Sequence, residues 1–389
     1  MTLAAMGPLS GIRIIEVAAI GPVPYCAMIL ADLGATVIRV DRPENSDLGI
    51  SVPASRALLN RGRPSIIVDL KKPAGAKTVL RLLDGVDGLI EGMRPGVIER
   101  LGLAPRVCLA RNPRLVFGRV TGWGQSGPRA PSAGHDINYI AAAGALSAIG
   151  RAGERPVPPL NLLGDYGGGA MYLAVGVLAG ILSARETGVG QVVDAAMVDG
   201  AAQLMTMFHV LAAAGDWPGE RGENLLDGGA PFYDTYETSD ERFVAVGAIE
   251  PKFYAQLLDG LEIDPADLPE QNDREGWPML REVFSARFRA RTRDEWDATF
   301  LDTDACVTPV LDRTELAGDP HLAARKTMVD IDGFAQPAPA PRFSSTPPDL
   351  PTPPVAPGAD SRCVLSDAGF GAAEIDALIA DKVVHEERP

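Results

Sequence analysis

The chain has 389 residues, 46% hydrophobic and 22% charged, values of a globular protein rather than a disordered or fibrous one. That length exceeds one ordinary core, so two domains are expected. The formal charge of −15, from 36 basic and 51 acidic side chains, argues against nucleic acid or an anionic membrane as the main partner. The four cysteines (Cys26, Cys108, Cys306 and Cys363) are far apart and form no CxxC. This points away from a disulfide framework or a zinc site and toward reduced thiols in the cytoplasm. No stretch holds about 18 uninterrupted apolar residues, the rough minimum for a span, so no membrane association is expected. The first eight residues also lack the regions of a signal peptide.

In chain order, 11–17 is a branched apolar run expected as a buried strand. A helix over 25–33 stopping at Gly34 and a strand over 36–40 complete a β–α–β unit, as in a parallel sheet. The turn after the first strand has no G-x-G-x-x-G, which discounts a dinucleotide cofactor. Strands at 65–70, 88–91 and 114–120 alternate with helices at 76–83 and 95–101, an α/β signature. Helices follow at 136–149 and 170–184, a strand at 191–195 and a helix at about 197–214. Residues 216–230 read as a Gly- and charge-rich linker or active-site loop. Alternating runs at 231–236 and 242–246 predict an antiparallel hairpin, and helices are expected near 252–260, 277–289 and 293–301. Residues 335–357, rich in proline, alanine and serine, read as an extended arm leading to a last helix at 372–381. The expected class is α/β: a Rossmann-like large domain with a parallel sheet plus a smaller α+β domain. The divisions are 1–200 for the N-terminal part of the large domain, 201–225 for a helix and linker, and 226–325 for the small domain. Residues 326–389 form the arm and a C-terminal part returning to the large domain.

Two residues stand out for chemistry. His135, in AGHDINY at 133–139, sits at a loop-to-helix junction downstream of TGWGQSGP at 121–128. It is either a helix-terminal residue holding a local turn or a general base, histidine being the side chain with an unperturbed pKa near neutrality. Asp136 is a candidate N-cap, and free backbone N–H groups there suit a developing oxyanion. Asp165, in PLNLLGDYGGG at 159–169, is either an N-cap or a second base. The three glycines after it suggest that something approaches the backbone closely. Glu250 ends a strand before a proline-initiated helix and alone would be a surface cap. His209, His321 and His385 receive no role, and no metal-ligand spacing is present. Basic residues gather early: Arg42, Arg56, Arg61, Arg63, Lys71, Lys72, Arg94 and Arg100. They are either solvated loop charge or a phosphate-binding rim at strand ends. Met197, Met205 and Met207 are either core or a flexible apolar lining for a substrate.

Together these blocks resemble the α-methylacyl-CoA racemase branch of the type III CoA-transferase (CaiB/BaiF-like) family. The matching runs also include GQVVDAAMVDG at 190–200, NLLDGGAPFY at 224–233, AVGAIEPKFY at 245–254 and TDACVTPV at 303–310. The resemblance implies racemisation of a 2-methylacyl-CoA thioester by proton transfer at the α-carbon. By the same resemblance, His135 and Asp165 are bases for opposite faces, Glu250 pairs with the histidine, and Asn161 bonds the aspartate. The Asp136 backbone N–H would hold the thioester oxygen. CoA, part of the substrate, would be held through Arg42, Val68, Leu70, Lys71, Arg94 and Arg100, with no further cofactor. Relatives carry a basic residue where this chain has Pro64, and the loop 44–57 is atypical. The resemblance also implies an interlocked homodimer in which Glu250 of one subunit meets His135 of the other. The alternative is a CoA transferase of the same fold with Asp165 as the acyl-anhydride nucleophile; a non-catalytic CoA-binding protein is a third reading.

Overall fold

A computed structural model describes residues 6–44 and 52–388. The chain folds as two compact units. One comprises residues 1–143, 160–204 and 326–389, the other residues 144–159 and 205–325.

The first unit is built on a seven-stranded sheet. Its strands are β1 Arg13–Val17, β2 Thr36–Asp41, β3 Ser65–Val68, β4 Gly88–Glu91, β5 Val116–Thr121 and β6 Gln191–Ala196. They run parallel in the order β3-β2-β1-β4-β5-β6, the doubly wound arrangement, and Val384–His385 adds an antiparallel edge beside β3. The parallel core is buried on both faces, with every residue of β3, β4 and β5 buried. Successive residues of β1 serve opposite layers. Ile14 packs with Val23, Leu30, Leu173 and Val177, whereas Ile15 packs with Val79, Leu103, Leu365 and Val384.

The sequence has no stretch of about 18 uninterrupted apolar residues, but mean hydropathy over one helix is high. Leu162–Thr187 is one continuous helical run, long and apolar enough by length and composition to cross a membrane. Glycines, a serine, tyrosines and the charged Asp165, Arg185 and Glu186 interrupt its apolar letters. Half of its most apolar window is buried inside the protein, through Leu173, Val177 and Ile181, while Val175 and Leu182 face outward.

Other departures are local. The helix expected over 136–149 ends at Ala142, and the one expected over 197–214 is broken at Met205. Helices at Pro105–Arg111 and Ser361–Asp367 have no counterpart among the expected elements. Part of the proline-rich arm is sheet: Phe334–Pro337 pairs antiparallel with Met328–Ile331. The arm is stitched down where Gln336 accepts from Arg61 and the Thr352 carbonyl accepts from the Gly62 N–H.

The second unit has the expected hairpin, β7 Tyr233–Glu237 with β8 Phe243–Gly247, extended by β9 Val307–Pro309. Its core is aromatic, with Tyr236 stacked on Phe288 at 5.0 Å and Phe288 edge-on to Trp296 at 5.3 Å. The Gly-rich segment 216–230 is knitted around buried Asn224. The Asn224 amide donates to the Gly219 and Glu220 carbonyls and to Asp227, and its oxygen accepts from the Gly219 N–H.

The glycines following Asp165 have an internal explanation. A Cβ on Gly200 would lie 2.0 Å from the Gly168 carbonyl oxygen, and one on Gly168 would lie 2.7 Å from the Ala201 nitrogen. What approaches this backbone is the chain's own helix Met197–Leu204. Gly200→Ala is therefore expected to cost about 1–3 kcal/mol by overpacking two backbones. A lowered urea midpoint checks this, and an unchanged one would show that the helices can part at no cost.

Candidate active site

Strand order reverses between β1 and β4, and the loops leaving their carboxyl ends diverge there. The helix after β1, Pro22–Asp32, packs in the layer of Val23 and Leu30; the helix after β4, Val97–Arg100, packs in the opposite layer through Ile98. The crevice left between such loops is where open α/β sheets bind ligands. Two pockets open along it.

The first, of about 260 Å³, is lined by loop residues after β1, β4 and β5, among them Gly21, Arg94 and Trp123, and by His135, Tyr139 and Asp165. His135 is the N-cap of Asp136–Ala142, held in extended geometry at φ −134° and ψ 174°. The Asn138 side-chain oxygen accepts from its backbone N–H at 3.0 Å. His135 as a whole is exposed. Asp136 is the first helical residue rather than the N-cap, so its N–H has no intrahelical acceptor. Its buried carboxylate accepts the Asp165 backbone N–H at 2.6 Å, and its second oxygen has no hydrogen-bond partner among the described residues.

Asp165 is not an N-cap either. It lies inside the π-helical turn Leu162–Ala170, which runs directly into Met171–Thr187. Such turns are rare and concentrate at functional sites, because the extra residue re-aims a side chain. The Asn161 amide donates to its carboxylate at 3.2 Å. Burial pushes the Asp165 carboxyl above the ordinary carboxylate range; the Asn161 bond opposes this, the Asp136 charge adds to it and His135 lowers it. A Cβ on Gly21, which has φ +67°, would sit 3.0 Å from the Asp165 carboxylate, so glycine there keeps the oxygen's approach open.

Tyr139 carries no role in the sequence reading, yet it shapes the pocket. A Cβ on Gly122 would lie 2.0 Å from its ring and one on Gly134 2.7 Å, so both motif glycines make room for it. It meets Trp123 edge-on at 4.9 Å. Its position four residues after His135, one helical turn on, was the available signal. Met197 is buried and lines this pocket; Met205 and Met207 belong to or border the second unit's helix Thr206–Ala214.

The second pocket, of about 410 Å³, lies at the carboxyl ends of β1–β4. It brings together Arg42, Val68, Leu70 and Lys71, with Met93 and Val97 opposite. Lys71 and Glu44, both exposed, form an ion pair of 2.6 Å at its mouth. Arg94 is in the first pocket instead, and Arg100 folds its guanidinium toward Gly96.

The remaining basic residues do not line either of these two pockets. Arg61 and Arg63 are buried and committed to Asp32 and Glu16. Lys72 donates to the Asp381 and Lys382 carbonyls behind a helix C-terminus. Arg56 lies over the Phe334 ring at 4.7 Å. At Pro64 the carbonyl accepts from the Arg39 N–H. Of the atypical loop 44–57, residues 45–51 lie outside the described residues. Glu250 is the exposed N-cap of Pro251–Gly260 in the second unit, whereas His135 and Asp165 are in the first.

The doubly wound sheet thus carries a histidine and an aspartate in one pocket, with a second pocket beside it at the strand ends. Residues 9–361 match CoA-transferase family III, and the chain belongs to that family. It is 43% identical over 383 residues to the α-methylacyl-CoA racemase of Homo sapiens, covering 98% of each chain. The Mus musculus racemase is 42% identical over the same coverage. Among solved structures, a CaiB/BaiF family protein from Brucella suis superposes with a TM-score of 0.82 over 93% of this chain and 100% of that one. At 23% identity it speaks for the fold alone.

A carboxyl whose folded pKa is raised binds its proton more tightly folded than unfolded. Its ionisation therefore costs stability as pH rises from the ordinary carboxylate value through the folded one. Asp165→Asn, which keeps the shape and removes the charge, should raise the thermal midpoint at pH 7 and leave it unchanged at pH 3. Equal midpoints at pH 7 would remove desolvation as the cause of the shift.

Proposed function

We propose that this chain is an α-methylacyl-CoA racemase, interconverting (2R)- and (2S)-2-methylacyl-CoA thioesters. The observation that carries the reading is that His135 and Asp165, from separate sequence blocks, line one pocket at the strand-order reversal. Near full-length likeness to two racemases supports it.

In this mechanism one base takes the α-proton from one face of the substrate, leaving a planar enolate. The other base, in its acid form, returns a proton to the opposite face. The thioester carbonyl delocalises the electron pair, so no cofactor is required. The Asp136 N–H, pointing from the first turn of its helix, receives the oxygen as charge develops. Asn161 holds the Asp165 carboxylate. The raised Asp165 pKa favours the proton-bearing form that a donor needs. CoA lies with its nucleotide end in the pocket of Arg42, Val68, Leu70 and Lys71, its phosphates passing Arg94 and its thioester in the pocket of His135 and Asp165.

We further propose a homodimer in which Glu250 of the partner subunit pairs with His135 and sets its tautomer. Exposed apolar side chains along 160–192 support an oligomer: Leu160, Leu162, Val175, Leu182 and Val189 are each more than half accessible.

Incubating one 2-methylacyl-CoA epimer in D₂O should give α-deuteration and racemisation without any acceptor acid. Absence of exchange sinks the reading, and hydroxylamine trapping of an acyl group on Asp165 would instead identify a transferase. His135→Ala and Asp165→Ala should each lower kcat about 10²–10⁴-fold, the usual worth of a general acid–base group. Trans pairing has its own test. Mixed dimers of His135→Ala and Glu250→Ala chains should regain activity, since one of their two sites is intact; no recovery would place the pairing within one chain.

A further inference from the structure

Resting on the CoA-binding reading, we propose that Arg119 is a positioning residue that staples the loop separating the two pockets. The loop 92–96 and the short helix behind it form a partition. Gly92, Arg94 and Pro95 face the pocket of His135 and Asp165, while Met93, Val97 and Leu101 face the pocket of Arg42 and Lys71. An acyl-CoA reaching from one pocket to the other must run along this partition.

One guanidinium holds both its ends. Arg119, on β5 and 5% exposed, donates from Nε to Glu91 Oε1 at 2.7 Å, at the close of β4. Its Nη1 donates to Glu99 Oε1 at 2.7 Å and its Nη2 reaches Glu99 Oε2 at 3.4 Å, on the helix beyond the loop. The other oxygen of Glu91, fully buried, accepts from the Met93 N–H at 2.6 Å, so the carboxylate turns the first residues of the loop as well. At the far side the Arg94 carbonyl accepts from the Val97 N–H. Arg94 is thus carried at the middle of a span fixed at positions 91, 93, 97 and 99.

Folding alone does not call for these charges. A buried ion pair is generally matched by well-packed apolar side chains in stability, and β5 is otherwise lined largely by such residues. What an apolar substitute lacks is direction: a planar fork addresses two carboxylates at defined angles. The staple therefore sets where the exposed Arg94 guanidinium stands, and so how well a phosphate-bearing substrate is held.

The test uses Glu99→Ala, which removes the outer arm and leaves the buried Arg119–Glu91 pair in place, with thermal unfolding confirming the fold. Two substrates are compared: a 2-methylacyl-CoA and the same acyl group on pantetheine, which lacks the phosphates and nucleotide. For the CoA thioester KM should rise about 5–30-fold with kcat within about twofold, the pattern of lost uniform binding. For the pantetheine thioester KM should stay within about twofold of wild type, because its contacts do not depend on Arg94. Equal KM for variant and wild type on the CoA thioester overturns the staple, as do equal losses on both substrates. Wild type using both thioesters equally well overturns the CoA-binding reading itself.

Discussion

Between β1 and β4 the winding of the sheet reverses, and the site depends on that reversal. Helices leaving neighbouring strands on the same face would close over the strand ends. Here Pro22–Asp32 covers one face and Val97–Arg100 the other, so the loops at Gly21 and Gly92 part. The gap exposes backbone and short side chains at the carboxyl ends of the strands. Both pockets, with His135 and Asp165 in one of them, are arranged along it.

At this gap the loop after β4 is anchored by buried charge, and buried ion pairs hold other segments of the first unit as well. Glu16 on β1 holds Arg63 with both side chains fully inaccessible, Asp32 holds Arg61, and Arg119 joins Glu91 to Glu99. Removing one partner of such a pair costs about 3–5 kcal/mol, since the other is left charged and dry. The same interactions explain why arginines that look like phosphate ligands in the sequence are unavailable to a ligand. Arg61 additionally ties the proline-rich arm to the first unit through Gln336 and the Pro337 carbonyl.

The His135 and Asp165 blocks meet through a smaller interaction, the Asp136 carboxylate accepting the Asp165 N–H. It couples the start of one helix to the π turn of another, so that neither side chain is placed independently. Glycine permits the approach at each step. Gly122 and Gly134 make room for Tyr139, Gly21 for the Asp165 carboxylate, and Gly164 for Asp136, whose oxygen would lie 2.7 Å from an added Cβ.

Local pattern carried most of the architecture. Alternation of branched apolar strands with helices begun by proline and ended by glycine depends on neighbours two to four residues apart, and β1 to β6 were legible for that reason. Val384–His385, β9 and the strand Phe334–Pro337 were not, because short edge strands are made by their partners rather than by their own composition. Among site residues, the residue types of His135 and Asp165 and their glycine-rich settings were visible in the sequence. Their convergence on one pocket, the π turn under Asp165 and the fate of each arginine were decided only by tertiary structure. A charged side chain's role depends on which opposite charge or carbonyl the fold brings to it, from 28 residues away for Glu91 and Arg119 or 310 for Lys72 and Lys382. Sequence periodicity holds no record of such pairings. They arise when burial forces polar groups to find partners.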